Sequence, residues 1–124
     1  MPTPISIVIG GETVSAELND SATAREIAEK LPIEAGFSTW GDEIYFSIPV
    51  KRGAENPKEV VELGELGYWP PGNAFCIFYG ATPGSTADHI KPASPVNPIG
   101  RVTGDPKVFK SLARAVGKIR LEKA

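Results

Sequence analysis

Two short stretches combine bulky aromatic side chains with tight turns, and they are the strongest candidates for a binding site. The first is Trp40–Phe46, with the sequence WGDEIYF, and the second is Gly67–Gly72, with the sequence GYWPPG. Trp69 is held in an extended conformation because it precedes a proline. Rings fixed beside turns can line a shallow apolar groove in which tyrosine hydroxyls offer hydrogen bonds. The predicted walls of this groove are four aromatic residues: Trp40, Tyr45, Tyr68 and Trp69.

Two polar residues follow a long loop and are the polar candidates for the same site, namely Asn97 and Arg101. The ligand that such a groove would take is a small molecule or an extended peptide. The alternative is that Trp40 and Trp69 plug the ends of the fold and leave no groove. The residue pattern alone does not decide between the two interpretations.

Other site chemistries have little support. His89 is the only histidine, and no metal-binding motif or carboxylate-rich loop accompanies it, so neither a metal nor a cofactor is predicted. There is no GxSxG motif, and Gly10-Gly11 lacks the strand–glycine–helix context of a phosphate-binding loop. Cys76 is the only cysteine and lies in the apolar run FCIF, which predicts a buried and unreactive thiol.

The charge pattern predicts neither a nucleic-acid partner nor a membrane partner. The net charge is −2, and the basic residues of the C-terminal half form a solvated face without interleaved aromatic residues. The glutamates at positions 55, 59, 62 and 65 are interpreted as a solvated acidic rim. No apolar run approaches the roughly 18 residues that span a bilayer, and no secretory signal is recognisable, so the cytoplasm is the expected compartment.

The composition indicates the kind of fold that must position these residues. Glycine and proline number 13 and 12 of the 124 residues, and 41% of the residues are hydrophobic. This proportion of glycine and proline argues against a helical bundle, and the hydrophobic content argues against disorder. We therefore expect one compact, turn-rich, mainly β domain over residues 1–124.

Periodicity predicts the individual elements. Residues 5–9 and 13–18 read as a hairpin, and residues 22–31 as a helix capped by Asp20 or Ser21. A second helix is predicted from Pro106 to Val116, with Val108, Phe109, Leu112, Ala113 and Val116 as its apolar stripe and Gly117 as its end. Strands are predicted at 37–40, 44–50, 59–63, 67–69, 74–79, 99–102 and 118–122.

Within this pattern the run at 74–79 is continuously apolar, which is typical of a strand covered on both faces. Residues 80–98 read as a long loop, and a loop of that length is usually functional or mobile. The order of short strands and two helices predicts a closed or nearly closed barrel with helices at its ends.

Several motifs resemble a family of small prokaryotic cyclophilin-like proteins. They are GDEIYF at 41–46, ELGELGYWPPG at 62–72, FCIFYG at 75–80, KPASPVN at 91–97 and the pair Ile99-Gly100. The resemblance spans nearly the whole chain. It implies a mainly β fold, a cyclophilin-like closed β-barrel capped by two α-helices, in a family without an established activity.

True cyclophilins are prolyl isomerases, and the resemblance allows their functional positions to be compared with this chain. The arginine of those enzymes corresponds to Phe46, the glutamine to Ala74 and the pocket phenylalanine to Cys76. Their histidine and tryptophan correspond to Val96 and Lys91. All five positions depart from the enzyme pattern, although Arg52 or Arg101 could bring a basic group from another direction.

We therefore expect a non-catalytic module that binds a small molecule or an extended peptide in an aromatic groove. A divergent prolyl isomerase is the first alternative, and a fold alone does not establish that activity. A structural or assembly protein is the second, because barrels with exposed aromatic edges can self-associate.

Overall fold

Nine strands and two α-helices make up the structure, a computed structural model that describes residues 1–124. The strands are β1 (Thr3–Ile9), β2 (Glu12–Leu18), β3 (Ile33–Gly36), β4 (Ser38–Thr39), β5 (Glu43–Ser47), β6 (Glu65–Trp69), β7 (Ala74–Phe78), β8 (Asn97–Val102) and β9 (Lys118–Lys123). The helices are α1 (Ala22–Lys30) and α2 (Phe109–Leu112), and 3-10 turns cover Pro70–Gly72 and Pro106–Val108.

All nine strands belong to one sheet with the order β3-β9-β1-β2-β8-β6-β7-β5-β4. The two edge strands, β3 and β4, follow each other in the chain and are separated only by Phe37. The sheet is therefore curled into a nearly closed barrel, and the predicted mainly β, cyclophilin-like barrel with two helices is confirmed.

The N-terminal elements form as the sequence predicts. β1 and β2 pair antiparallel from Thr3↔Leu18 to Ile9↔Glu12, joined by a glycine pair with positive φ. Helix α1 begins after Ser21, whose side chain accepts a hydrogen bond from the Ala24 N–H at 3.2 Å. This is the stabilisation expected of a serine N-cap.

Strand β7 is the only strand in which every residue is buried, which confirms that it is covered on both faces. Its inner side chains, Phe75 and Ile77, belong to the main core inside the barrel. Its outer side chains, those of Ala74, Cys76 and Phe78, form a second, smaller core together with Val61 and Val96. The segment after β7 therefore packs on the outside of the barrel wall.

Close packing of that segment depends on a glycine in β6. A Cβ built at Gly67 would lie 2.8 Å from the Cγ2 of Val96, which is too close for any side chain. Two isolated β-bridges, Lys58↔Val96 and Val61↔Ile90, hold the covering segments to each other. The strand predicted at 59–63 is therefore wrong, because these residues make single bridges rather than a continuous ladder.

The second helix is much shorter than the sequence predicts. It spans only Phe109–Leu112, and Phe109 is its one buried residue. Val108 and Val116 of the predicted apolar stripe are exposed, the latter completely. The chain leaves the helix early because Lys118 must reach its β9 register opposite Gly36. Strand β3 was not predicted at all, while β9 closes the sheet as expected by pairing with both β1 and β3.

Candidate ligand-binding pocket

The outer face of β5, β7 and β6 carries the candidate site. Tyr45 pairs with Cys76, and Trp69 pairs with Ala74, so their side chains lie on the same face of the sheet. Glu43 is two residues before Tyr45 in β5 and shares that face. The strands thereby bring two aromatic rings and one carboxyl group to one side of the barrel wall.

These side chains line a half-open cavity of about 210 Å³, which we call the aromatic pocket. Its lining consists of six residues, Trp40, Glu43, Tyr45, Trp69, Pro92 and Ala93. Three of the four predicted groove walls therefore lie together. The tryptophans do not plug the ends of the barrel, since both are half-buried at this cavity.

Trp69 is held from both ends of its indole. Its Nε1–H donates a hydrogen bond to the Ser94 hydroxyl at 2.6 Å. The ring also lies over Gly72, where a Cβ would come within 2.9 Å of Cε3 and Cζ3 of the indole. The glycine of the sequence WPPG is therefore required for this ring position, and the loop serine fixes the opposite edge.

Trp40 is positioned by the turn that precedes β5. Its N–H donates to the Glu43 carbonyl at 2.9 Å, and Gly41 occupies the turn with φ of 60°. A Cβ at Gly41 would lie 2.9 Å from the Ala81 carbonyl oxygen, so the chain after β7 packs tightly against this turn. The turn and the following loop thus set the position of Trp40 together.

The loop that supplies Pro92 and Ala93 is held by a cluster of hydroxyl groups. Ser85 Oγ accepts hydrogen bonds from the N–H groups of Thr82 and Lys91, at 2.9 and 3.1 Å. The Thr82 hydroxyl donates to the Lys91 carbonyl. These bonds close the loop on itself just before the two residues that line the pocket.

Glu43 is the only ionisable acid in the pocket, and it is only 6% exposed. Burial raises the pKa of this carboxyl to about 7, and a hydrogen bond from the Cys76 thiol opposes the shift. Burial also raises the pKa of Cys76, and the neighbouring Glu43 adds to that increase. No Lys or Arg side chain forms an ion pair with Glu43, so its charge is uncompensated when it loses its proton.

A shallower depression of about 490 Å³ adjoins the aromatic pocket and shares Trp40, Pro92 and Ala93 with it. Glu59 and Lys91 lie along this depression and give it a polar, charged character. The two adjoining cavities form a groove with one aromatic end and one polar end. An extended ligand could occupy both.

Tyr68 does not line the pocket, and the prediction that it is a groove wall is corrected. It is fully buried inside the barrel. Its hydroxyl donates to the Val50 carbonyl at 2.6 Å and accepts from the Arg52 N–H at 3.2 Å. Because Trp69 faces the outer side of β6, its neighbour Tyr68 must face the inner side.

Asn97 also lies away from the pocket, in a buried polar cluster at the start of α1. Its side-chain oxygen accepts from the Glu55 N–H at 2.8 Å, and its amide donates to the Gly53 carbonyl and the Thr23 hydroxyl. The Glu55 carboxylate in turn accepts from the N–H groups of Ala22 and Thr23. We call Thr23, Glu55 and Asn97 the helix-anchoring cluster. Glu55 is therefore not part of a solvated acidic rim.

Arg101 is exposed and lies in a different depression on the surface. Its Nε–H pairs with Glu17 at 2.9 Å. This depression, about 540 Å³, is larger than the aromatic pocket but has fewer apolar residues in its lining, and Lys58 is paired with Glu65 within it. Because four of its five charged side chains are paired with each other, it offers a ligand less than the aromatic pocket does. Arg101 and Trp69 do not share a cleft.

Three pocket residues were not predicted from the sequence, namely Glu43, Pro92 and Ala93. A signal for Glu43 was present, because it alternates with Tyr45 in a strand whose opposite face is apolar. Pro92 and Ala93 reach the pocket through loop geometry that has no periodic signal. His89 is exposed, and no group of three or more His, Cys, Asp or Glu side chains is placed to hold a metal ion. No helix has the length and apolar character needed to cross a membrane.

Comparison with known proteins agrees with the barrel and its covered wall. The family model described as cyclophilin-like matches residues 3–122, and the chain belongs to this family. Among solved structures, the hypothetical protein AF2241 from Archaeoglobus fulgidus is similar, with a TM-score of 0.76 and 38% sequence identity. The alignment covers 99% of this chain and 95% of that one. No match was found among curated proteins.

Proposed function

We propose that this protein binds a small organic ligand, or one side chain of an extended peptide, in the aromatic pocket. The observation that carries the proposal is the convergence of Trp40, Tyr45 and Trp69 around one cavity. The cavity, at about 210 Å³, is smaller than the roughly 300–1,000 Å³ of pockets for drug-sized ligands. It fits a compact chemical group rather than a large molecule.

The rings are held in place before a ligand arrives. Trp69 is fixed by Ser94 and by its contact with Gly72, and Trp40 is fixed by the turn at Gly41. A preformed pocket loses less conformational entropy on binding than one that must be ordered by its ligand. This favours binding as the use of the pocket.

The pocket supports binding better than prolyl isomerisation. A basic group near the twisting amide is needed to stabilise that transition state. None of the six residues that line the pocket is Lys or Arg, and Arg101 lies in another depression. Binding therefore accounts for the arrangement without a group that the pocket does not supply.

The two tryptophans make the proposal directly testable. Trp40 and Trp69 are the only tryptophans in the chain, so all tryptophan fluorescence arises at the aromatic pocket. We expect that a ligand found by native mass spectrometry or a thermal-shift screen of metabolites and peptides changes this fluorescence. The same ligand should lose most of its affinity for Trp69→Ala.

A matched control is Leu63→Ala, which truncates a half-exposed apolar side chain in the depression around Arg101. This variant should bind as the unaltered protein does. If ligands bind with no change in fluorescence and with equal affinity for Trp69→Ala, they bind elsewhere and the proposed function is wrong.

A further inference from the structure

The aromatic pocket combines three ring faces with a carboxyl group that has no cationic partner. Glu43 is more than nine-tenths buried and lines the cavity beside Trp40, Tyr45 and Trp69. A buried charge without a partner is costly, and such groups in proteins are normally paired. The missing partner of Glu43 is therefore a feature that the fold itself does not explain.

A ligand cation would supply that partner. Aromatic faces attract cations through the negative potential above the ring, with tryptophan the strongest of the three ring types. The attraction strengthens when the cation is removed from water, and this half-open pocket would remove part of its hydration. The rings and the carboxylate thus both favour a positively charged ligand.

The hydrogen-bonding capacity of the pocket narrows the kind of cation further. The Trp69 N–H is already occupied by Ser94, and the pocket contains one carboxyl group and mostly ring surface. A primary ammonium carries three N–H donors, and the side chains of this lining offer acceptors only at the Glu43 carboxylate and the Tyr45 hydroxyl. An alkylated ammonium instead presents methyl or methylene groups, which pack on the rings.

We propose that the aromatic pocket takes an alkylated ammonium group, with its charge against Glu43 and its alkyl groups against Trp40, Tyr45 and Trp69. This inference rests on the proposed function, because it names the ligand class of the same pocket. The group could belong to a free small molecule or to a methylated lysine of an extended peptide. Either source presents the same chemistry to the pocket.

Ionisation of Glu43 makes the binding depend on pH. The titratable neighbours of Glu43 are the Cys76 thiol, the phenols of Tyr45 and Tyr79 and the Asp42 carboxylate. Asp42 itself faces Lys110 at 3.6 Å. Glu59 and Lys91 lie in the adjoining depression and bear opposite charges. Since the free carboxyl titrates near pH 7, cation affinity should rise from pH 6 to pH 8, with a proton released on binding at the lower pH.

The experiment compares two probes of the same shape on the full chain at pH 8. Choline carries a trimethylammonium group, and 3,3-dimethylbutan-1-ol is its neutral carbon analogue. By tryptophan fluorescence we expect choline to bind at least about tenfold more tightly than the alcohol. Glu43→Gln removes the carboxylate but keeps the rings, so the ratio of the two affinities should fall several-fold towards the preference that the rings alone supply.

A glutamate outside the pocket provides the control for the substitution. Glu29→Gln removes the same charge at an exposed position in α1, and choline should bind it as it binds the unaltered protein. Equal binding of choline and the alcohol by the unaltered protein would overturn the inference but leave the proposed function standing. Absence of choline binding also overturns it, and the ligand screen then decides the proposed function separately.

A second comparison shows whether the alkylated ammonium group belongs to a small molecule or to a polypeptide. A short peptide with trimethyl-lysine is compared with choline and with the same peptide carrying unmodified lysine. Tighter binding of the methylated peptide than of choline assigns the group to a polypeptide, and the reverse assigns it to a small molecule. Equal binding of methylated and unmodified peptides would contradict the requirement for alkylation.

Discussion

Glu43 in the aromatic pocket and Glu55 in the helix-anchoring cluster are two carboxyl groups of one barrel whose pKa values shift in opposite directions. The Thr23 hydroxyl lowers the pKa of Glu55 most, and the N–H groups of Thr23 and Ala22 lower it further. Burial raises the pKa of Glu43 to about 7 because few donors reach it. The fold therefore stabilises the ionised form of Glu55 and disfavours the ionised form of Glu43.

The difference separates a structural polar group from one that is available to a ligand. Every side chain of the helix-anchoring cluster forms a hydrogen bond with another part of the chain, so the cluster holds α1 to the segment that precedes β6. Glu43 faces a cavity lined by rings and contributes no ion pair to the fold. A buried polar group that the fold leaves unpaired costs stability, and such a cost is typical of functional sites.

The largest expected effect is loss of stability when the helix-anchoring cluster is broken. Asn97→Ala leaves the Glu55 N–H and the Gly53 carbonyl without a partner. We expect the free energy of unfolding, measured by urea denaturation, to fall by about 4 kcal/mol. Thr23→Ala and the double variant should show coupling of about 1 kcal/mol or more. A loss below about 1 kcal/mol for Asn97→Ala would mean that the cluster does not anchor the helix.

Removing the charge of Glu43 should increase the free energy of unfolding, in contrast to the decrease expected for Asn97→Ala. Between pH 4.5 and about 7 the native Glu43 holds a proton that the unfolded chain has lost. The contribution of Glu43 to the free energy of unfolding is therefore highest below pH 4.5, falls as the pH rises to about 7, and then stays low. Glu43→Gln should remove this fall and stabilise the protein at pH 8 by about 3 kcal/mol.

Glu29→Gln is again the matched control, since its side chain is exposed and should change stability by less than about 0.5 kcal/mol. Chemical denaturation at pH 5 and pH 8 tests both variants. A Glu43→Gln protein that is less stable than the unaltered one at pH 8 would show that the Glu43 carboxylate is a structural group after all.

A smaller effect, with the reverse pH dependence, is expected at Glu55. Its contribution is present above the ordinary glutamate pKa and is lost as the pH falls through its lowered value. Glu55→Gln should therefore destabilise the protein by about 1 kcal/mol at pH 7, because it removes a negative charge and an acceptor at the start of α1. The difference should shrink in acid. An equal difference at pH 7 and at pH 3 would contradict the account.

The smallest effect is expected at Arg101, outside both regions. Its ion pair with Glu17 is exposed, and pairs of this kind contribute little to stability. Arg101→Ala should change the free energy of unfolding by less than about 0.5 kcal/mol and leave choline binding unchanged. A marked loss of binding would connect this depression with the aromatic pocket.

The sequence predicts the aromatic pocket in part, and the errors have a common cause. Trp40, Tyr45 and Trp69 lie beside turns, which favours a groove, but the residue pattern alone did not exclude that the tryptophans plug the barrel. Tyr68 was misplaced because strand periodicity shows that neighbours face opposite ways but not which face is inside. Asn97 was misplaced because its partner Thr23 is 74 residues away in the chain.

The fold was predictable where local patterns are long and consistent. The first hairpin, α1 and β9 have clear periodicity, and the continuous apolar run of β7 predicted its burial on both faces. The short strand β3 has no such pattern and was missed. Helix α2 was overextended because the apolar spacing of Val108 and Val116 resembles a helical stripe, whereas both residues are exposed.

The central claim is that the fold shifts the pKa values of Glu43 and Glu55 in opposite directions. The direct measurement is a carbon-detected NMR titration of the glutamate side-chain carboxyl groups, with Glu43→Gln and Glu55→Gln used to assign their signals. We predict that Glu43 titrates near pH 7 and that Glu55 titrates below the ordinary glutamate value. If Glu43 instead titrates near 4.5, the pocket does not hold an uncompensated carboxyl group, and the central claim is wrong.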